Sequence, residues 1–123
     1  MKHINSLFLI DDDQIYNLIH AQTIQESPYA KKVKAFDKAH LALEELKQLL
    51  NSQPDEIPEM IFLDINMPFM DGWEFLDEFA KLPDLISKRC KIFILTSSID
   101  AIDVEKSKIY IMAMVKYYYK INK

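Results

Sequence analysis

Short apolar runs alternate with helical spacing along the whole chain. Leu7 to Ile10, Val33 to Phe36, Met60 to Leu63, Ile92 to Leu95 and Val115 to Tyr119 read as strands. Three of them are nearly continuous hydrophobic runs, as expected of strands buried on both faces of a parallel sheet. Between them, Ala39, Ala42, Leu43, Leu46, Leu49 and Leu50 recur at helical spacing, as do Phe75, Leu76, Phe79 and Ala80. An earlier helix is expected from about Gln14 to Ser27, with Ile15, Leu18 and Ile19 on one face and Pro28 just beyond it. Pro83 is expected to end the helix of Trp73 in the same way, and a weaker helix to cover Ala101 to Met112. Asn51 to Pro58 is polar, carries two prolines and reads as an exposed loop.

The resulting order, β-α-β-α-β-α-β-α-β, predicts an open, doubly wound α/β sheet with helices on both faces. Right-handed crossovers then fix each helix relative to its strands. Ligands of such sheets bind beyond the carboxyl ends of the strands, near a topological switch point.

Composition narrows the picture. The 123 residues suit one domain, here 1–123, and an apolar half supports a packed core. The formal charge is −4, and Arg89 is the only arginine, so direct nucleic-acid binding is disfavoured. The single Cys90 excludes an intramolecular disulfide framework and suits a reducing compartment. The amino end leads into four consecutive apolar residues, too few for a signal peptide core or a membrane span. The expectation is a cytoplasmic domain that does not engage a membrane.

The strand ends concentrate acid, hydroxyl and lysine. The first strand runs into Asp11-Asp12-Asp13, the third into Asp64, the fourth into Thr96-Ser97-Ser98 and the fifth into Lys120. Carboxylates converging from neighbouring strands repel, which costs stability and raises some of their pKa values. A hard divalent cation removes that cost, and Mg²⁺ prefers one or two carboxylates together with waters and a phosphate oxygen. Helix capping is the bland reading: Asp13 suits the N-cap of the Gln14 helix, and Asp71 that of the Trp73 helix. A cap accounts for one acid per loop, not for two adjacent acids and a third at the end of an apolar strand. Elsewhere the bland reading holds. His3, His20 and His40 have no ligand-like spacing, Trp73, Phe75 and Phe79 read as core, and Cys90 as a packed thiol.

Phe62-Leu63-Asp64-Ile65-Asn66-Met67-Pro68-Phe69-Met70-Asp71-Gly72 resembles the phosphoacceptor segment of response-regulator receiver domains. Leu9-Ile10-Asp11-Asp12-Asp13 resembles their acidic pair, Ile94-Leu95-Thr96-Ser97-Ser98 their fourth strand, and Tyr117-Tyr118-Tyr119-Lys120 their last. The likeness runs from Leu7 to Lys120 in the right order. It implies a flavodoxin-like sheet of order 2-1-3-4-5 that acts as a phosphorylation switch in two-component signalling. Asp64 would take a phosphoryl group from a histidine kinase or phosphotransfer protein. Asp12, Asp64 and the backbone carbonyl of Asn66 would bind Mg²⁺ directly, with Asp11 acting through a metal-bound water. Lys120 would pair with phosphoryl oxygens, Thr96 would donate its hydroxyl to one, and Tyr117 would move with the switch. Gly72, the only glycine, begins a helix beside this site, which implies a backbone conformation or a close approach that a side chain would obstruct, a simple turn glycine being the bland reading.

Two departures from the pattern stand out. Ile121 follows Lys120 where the family has a proline, usually with a cis bond; a cis bond to a non-proline residue costs about 2.5–4 kcal/mol. The chain stops at Lys123, where the family continues into a fifth helix. The expectation is therefore that no output domain follows, that an unknown downstream protein receives the signal by contact, and that the uncovered face is buried in a homodimer or leaves the domain marginally stable. One rival is a pseudo-receiver that binds partners without being switched. Another is a metal-dependent aspartyl phosphohydrolase, whose usual Asp-x-Asp would place an acid where Asn66 stands.

Overall fold

The computed structural model describes residues 4–28, 30–65, 67–96 and 115–119, with the backbone alone for 95–96 and 115–119. The elements are β1 (Ile4–Ile10), α1 (Gln14–Glu26), β2 (Ala30–Phe36), α2 (Ala39–Ser52), a 3₁₀ turn (Pro54–Glu56), β3 (Met60–Asp64), α3 (Gly72–Ala80), α4 (Asp84–Arg89), β4 (Lys91–Thr96) and β5 (Val115–Tyr119). The strands pair in parallel in the order β2-β1-β3-β4-β5. This is the expected doubly wound, flavodoxin-like sheet. The expected helix over Ala101 to Met112, and whatever follows β5, lie outside the described residues.

Strand alternation sorts the core. Phe8 and Ile10 of β1, Ile61 and Leu63 of β3, and Ile92 and Ile94 of β4 join one cluster with Ala42, Leu43 and Leu46 of α2 and Phe75, Leu76 and Phe79 of α3. Each fully buried Leu, Ile or Phe contributes roughly 1.5–3 kcal/mol, so this layer is a large part of the core among the described residues. Right-handed crossovers place α1 on the opposite face, towards which Leu7 and Leu9 alternate. On that face the cross-strand neighbours Phe62 and Phe93 meet edge to face at 5.7 Å. β2 is the outer strand on its side and exposes Lys31, Lys32 and Lys34, charges that discourage pairing with another edge.

Three local expectations change. The stripe of Ile15, Leu18 and Ile19 is not core: these side chains are 71 %, 68 % and 57 % exposed, and the residue that α1 buries is Asn17. Helical spacing shows which residues share a face, but docking chooses the face that turns inward. The Asn51–Pro58 segment is not a wholly exposed loop, because α2 runs through Ser52 and Ile57 is completely buried. Pro83 does not end α3, which stops at Ala80; it precedes the six-residue α4. Proline suits that place, since its missing N–H is not needed where a helix begins.

Cys90, Trp73, Phe75 and Phe79 are buried as expected. The Cys90 thiol donates to the Pro58 carbonyl at 2.9 Å. The sole arginine is structural: Arg89 donates to the carbonyls of Ile57 at 2.6 Å and Asp55 at 2.8 Å, clamping the 3₁₀ turn. Among the described residues, no helix is long and apolar enough to cross a membrane.

Candidate functional site

The register of the sheet brings the acids together. Ile10 of β1 lies opposite Leu63 of β3, so Asp11 and Asp64, one residue further along, reach the same level at the carboxyl edge. Carboxylate oxygens of Asp11, Asp12 and Asp64 lie within 4.8 Å of one another. Asp11 is 4 % exposed, Asp64 half-buried and Asp12 exposed. The cluster thus opens to solvent on one side and rests on the sheet on the other.

Two consecutive turns shape the β1–α1 loop. The Asp13 N–H donates to Asp11 Oδ1 at 3.0 Å, and the Tyr16 N–H donates to Asp13 Oδ1 at 3.0 Å. Asp13 is therefore the expected N-cap of α1. Its capping role separates it from the three clustered acids. The Asp11 N–H extends the ladder to β2 through the Phe36 carbonyl at 3.0 Å.

The β3–α3 loop is held as firmly. Asp71 caps α3 in a reciprocal box: the Glu74 N–H donates to Asp71 Oδ1 at 2.8 Å, and the Asp71 N–H to Glu74 Oε1 at 3.1 Å. The Gly72 N–H donates to the Ile65 carbonyl at 2.9 Å and closes the loop behind Asp64. Within it, Phe69 takes a left-handed φ of 68° and is 88 % exposed. A large side chain in that region is strained. Sequence patterning did not single out Phe69, because neither exposure nor backbone handedness has a periodic signature. It also missed Asn17, whose weak signal is an amide one turn inside a helix.

The donor set suits Mg²⁺. It offers hard carboxylate oxygens, and an octahedral shell of radius ~2.1 Å has oxygens up to ~4.2 Å apart. A group confined within 4.8 Å matches that size after small side-chain adjustments. The remaining expected residues are placed in part. Asp64 lies opposite Leu95, so the Thr96 backbone follows directly; Thr96 lies opposite Tyr119, and Tyr117 opposite Ile94. Asn66, Lys120 and Ile121, and the side chains of Thr96 and Tyr117, lie outside the described residues.

Residues 7–119 match the family model of the response regulator receiver domain. No curated protein gives a significant match. Among solved structures, the chain is similar to a two-component response regulator from Cytophaga hutchinsonii, with TM-score 0.82 and 26 % identity over 99 % of this chain and 89 % of that one. It is similar to the phosphorylated cyanobacterial phytochrome response regulator RcpA, with TM-score 0.74 and 25 % identity over 98 % and 83 % of the two chains. The receiver domain of the histidine kinase CKI1 from Arabidopsis thaliana, complexed with Mg²⁺ and BeF₃⁻, shares the fold at TM-score 0.77 and 20 % identity, over 94 % and 80 %.

Proposed function

Because this chain belongs to the response regulator receiver domain family, we propose that Asp64 is its phosphoacceptor and that Asp11, Asp12 and Asp64 hold Mg²⁺ beside it. Receiver domains are phosphoacceptor signalling modules of two-component systems. The observation that carries the residue assignment is the convergence of three carboxylates from two adjacent strand ends.

A carboxylate is a weak nucleophile, so transfer depends on position and on neutralised charge. Asp64 attacks the phosphorus of a phosphohistidine. Its oxygen forms the new P–O bond as the P–N bond breaks, and the released imidazole takes up a proton. Mg²⁺, when bound, would neutralise charge on the carboxylates and the phosphoryl oxygens. Asp12 and Asp64 would hold it directly together with the Asn66 carbonyl, and the more buried Asp11 would act through water. Lys120 contributes a point charge and Thr96 a hydroxyl to the phosphoryl group, and Tyr117 responds to the movement of Thr96. These groups also assist loss of the phosphoryl group. The donor is a histidine kinase or a phosphotransfer protein, and the signal passes by contact to a downstream protein.

Labelling with a small phosphodonor in the presence of Mg²⁺ tests the reading. The wild-type chain is expected to incorporate one acid-stable, base-labile phosphoryl group, which disappears in Asp64→Asn or with EDTA. Equal incorporation in Asp64→Asn would overturn the assignment. Stable binding to partners without any incorporation would favour the pseudo-receiver instead.

A further inference from the structure

Asn17 is the side chain that α1 buries, at 5 % exposure. Its Nδ2 donates to the Asp11 carbonyl at 2.6 Å and to the Phe36 carbonyl at 3.2 Å, oxygens at the carboxyl ends of β1 and β2. Its Oδ1 has no hydrogen-bond partner among the described residues. A buried acceptor left unpaired is destabilising. The amide is thus held by its donors alone, and one of the two carbonyls they bind belongs to the acidic pair itself.

The Asp11 carbonyl belongs to the peptide that joins Asp11 to Asp12. That peptide is planar, and its orientation sets ψ of Asp11 and φ of Asp12 together. Those two torsions decide how the two carboxylates leave the backbone relative to each other. The Asp11 N–H is held by the Phe36 carbonyl, which also accepts from Asn17. One amide thus holds the hinge between the two acids against both strand ends.

We propose that Asn17 is a positioning residue for the divalent-cation site, acting through the Asp11–Asp12 peptide without touching the metal. The inference rests on the Mg²⁺ assignment above and adds the residue that preorganises it. Partners that orient ligands from behind typically change metal affinity by about 10–100-fold when removed.

The test is Mg²⁺ titration by calorimetry, with thermal melts in EDTA and in saturating Mg²⁺, on wild type, Asn17→Leu and Asn17→Ser. Leucine removes both donors at similar volume. Serine adds no bulk, and its hydroxyl turns back to the carbonyl four residues earlier. Both variants are expected to bind Mg²⁺ about tenfold more weakly, with a smaller rise in melting temperature on adding Mg²⁺. A merely structural role would lower both melts in parallel and leave the affinity unchanged, and that result overturns the proposal. In the wild-type chain, the side-chain amide signals of Asn17 in an ¹⁵N spectrum are expected to shift on saturation with Mg²⁺. Signals indifferent to Mg²⁺ overturn it without any variant. A wild-type chain that binds no Mg²⁺ overturns the metal reading itself, and this proposal with it.

Discussion

Gly72 packs directly on the peptide that follows Asp64. A Cβ at residue 72 would lie 2.7 Å from Ile65 Cα and 2.9 Å from the Asp64 carbonyl oxygen, and both neighbours are backbone. Backbone cannot rotate aside as a side-chain tip can. The absence of a side chain therefore serves close approach, and Gly72 has no positive φ to require it.

Gly72→Ala is accordingly expected to destabilise the chain by about 1–3 kcal/mol through overpacking, measured by urea denaturation. Helix propensity alone predicts the opposite sign, since alanine is better than glycine by ~1 kcal/mol inside a helix. The displaced Asp64 should also take up phosphoryl groups more slowly. A variant as stable and as readily labelled as wild type would contradict the close approach.

Asp12 and Asp11 should separate by experiment because their surroundings differ. Asp12 is exposed, whereas buried Asp11 also accepts the Asp13 N–H. Asp12→Ala is expected to raise the melting temperature in EDTA, by relieving repulsion, and to lose most of the stabilisation by Mg²⁺ that mass action supplies. Asp11→Ala removes a turn contact as well, so its melt in EDTA should fall below that of Asp12→Ala. Identical Mg²⁺ affinities for the two variants would refute the assignment of the direct bond to Asp12.

Burial pushes the Cys90 thiol from 9.0 up to about 12. The folded state therefore holds this proton more tightly than the unfolded chain does. Its contribution is complete below pH 9 and is lost as pH rises from 9 towards 12. Relative to Cys90→Ala, wild type should lose about 1.4 kcal/mol per pH unit within that window, measured by urea denaturation at stepped pH. A constant difference between pH 8 and pH 11 would show that the thiol titrates normally.

The exposed stripe on α1 and the core of α2 should respond oppositely to substitution. Leu18→Lys is expected to change stability by no more than ~0.5 kcal/mol, as at an open surface. Leu46→Ala, at a completely buried position, should cost about 2–5 kcal/mol. A large, concentration-dependent loss in Leu18→Lys would reveal that a second copy covers the stripe in solution.

Much of the fold is legible in the chain because the signals are local. Apolar runs such as Leu7–Ile10 and Ile92–Leu95 mark buried strands, and Asp13 and Asp71 announce helix starts because a short acid can accept the first free N–H groups. A lone glycine after Asp71 pointed to a special backbone conformation or to crowding, and only the packing decides for crowding. Other features have no local signature. The spacing of Ile15, Leu18 and Ile19 defines a face, but strand-end carbonyls of Asp11 and Phe36 drew Asn17 inward and turned that face to solvent. Ile57 looks like loop yet is buried, because Arg89, distant in sequence, clamps its carbonyl and the core lies beneath it. The six residues of α4 are too few to establish a helical period. The acids could be named from their strand ends, but only the pairing of Ile10 with Leu63 brings Asp11 and Asp12 within 4.8 Å of Asp64. Propensity acts between near neighbours in the chain; register and docking are set by the whole core, and the site exists where the two agree.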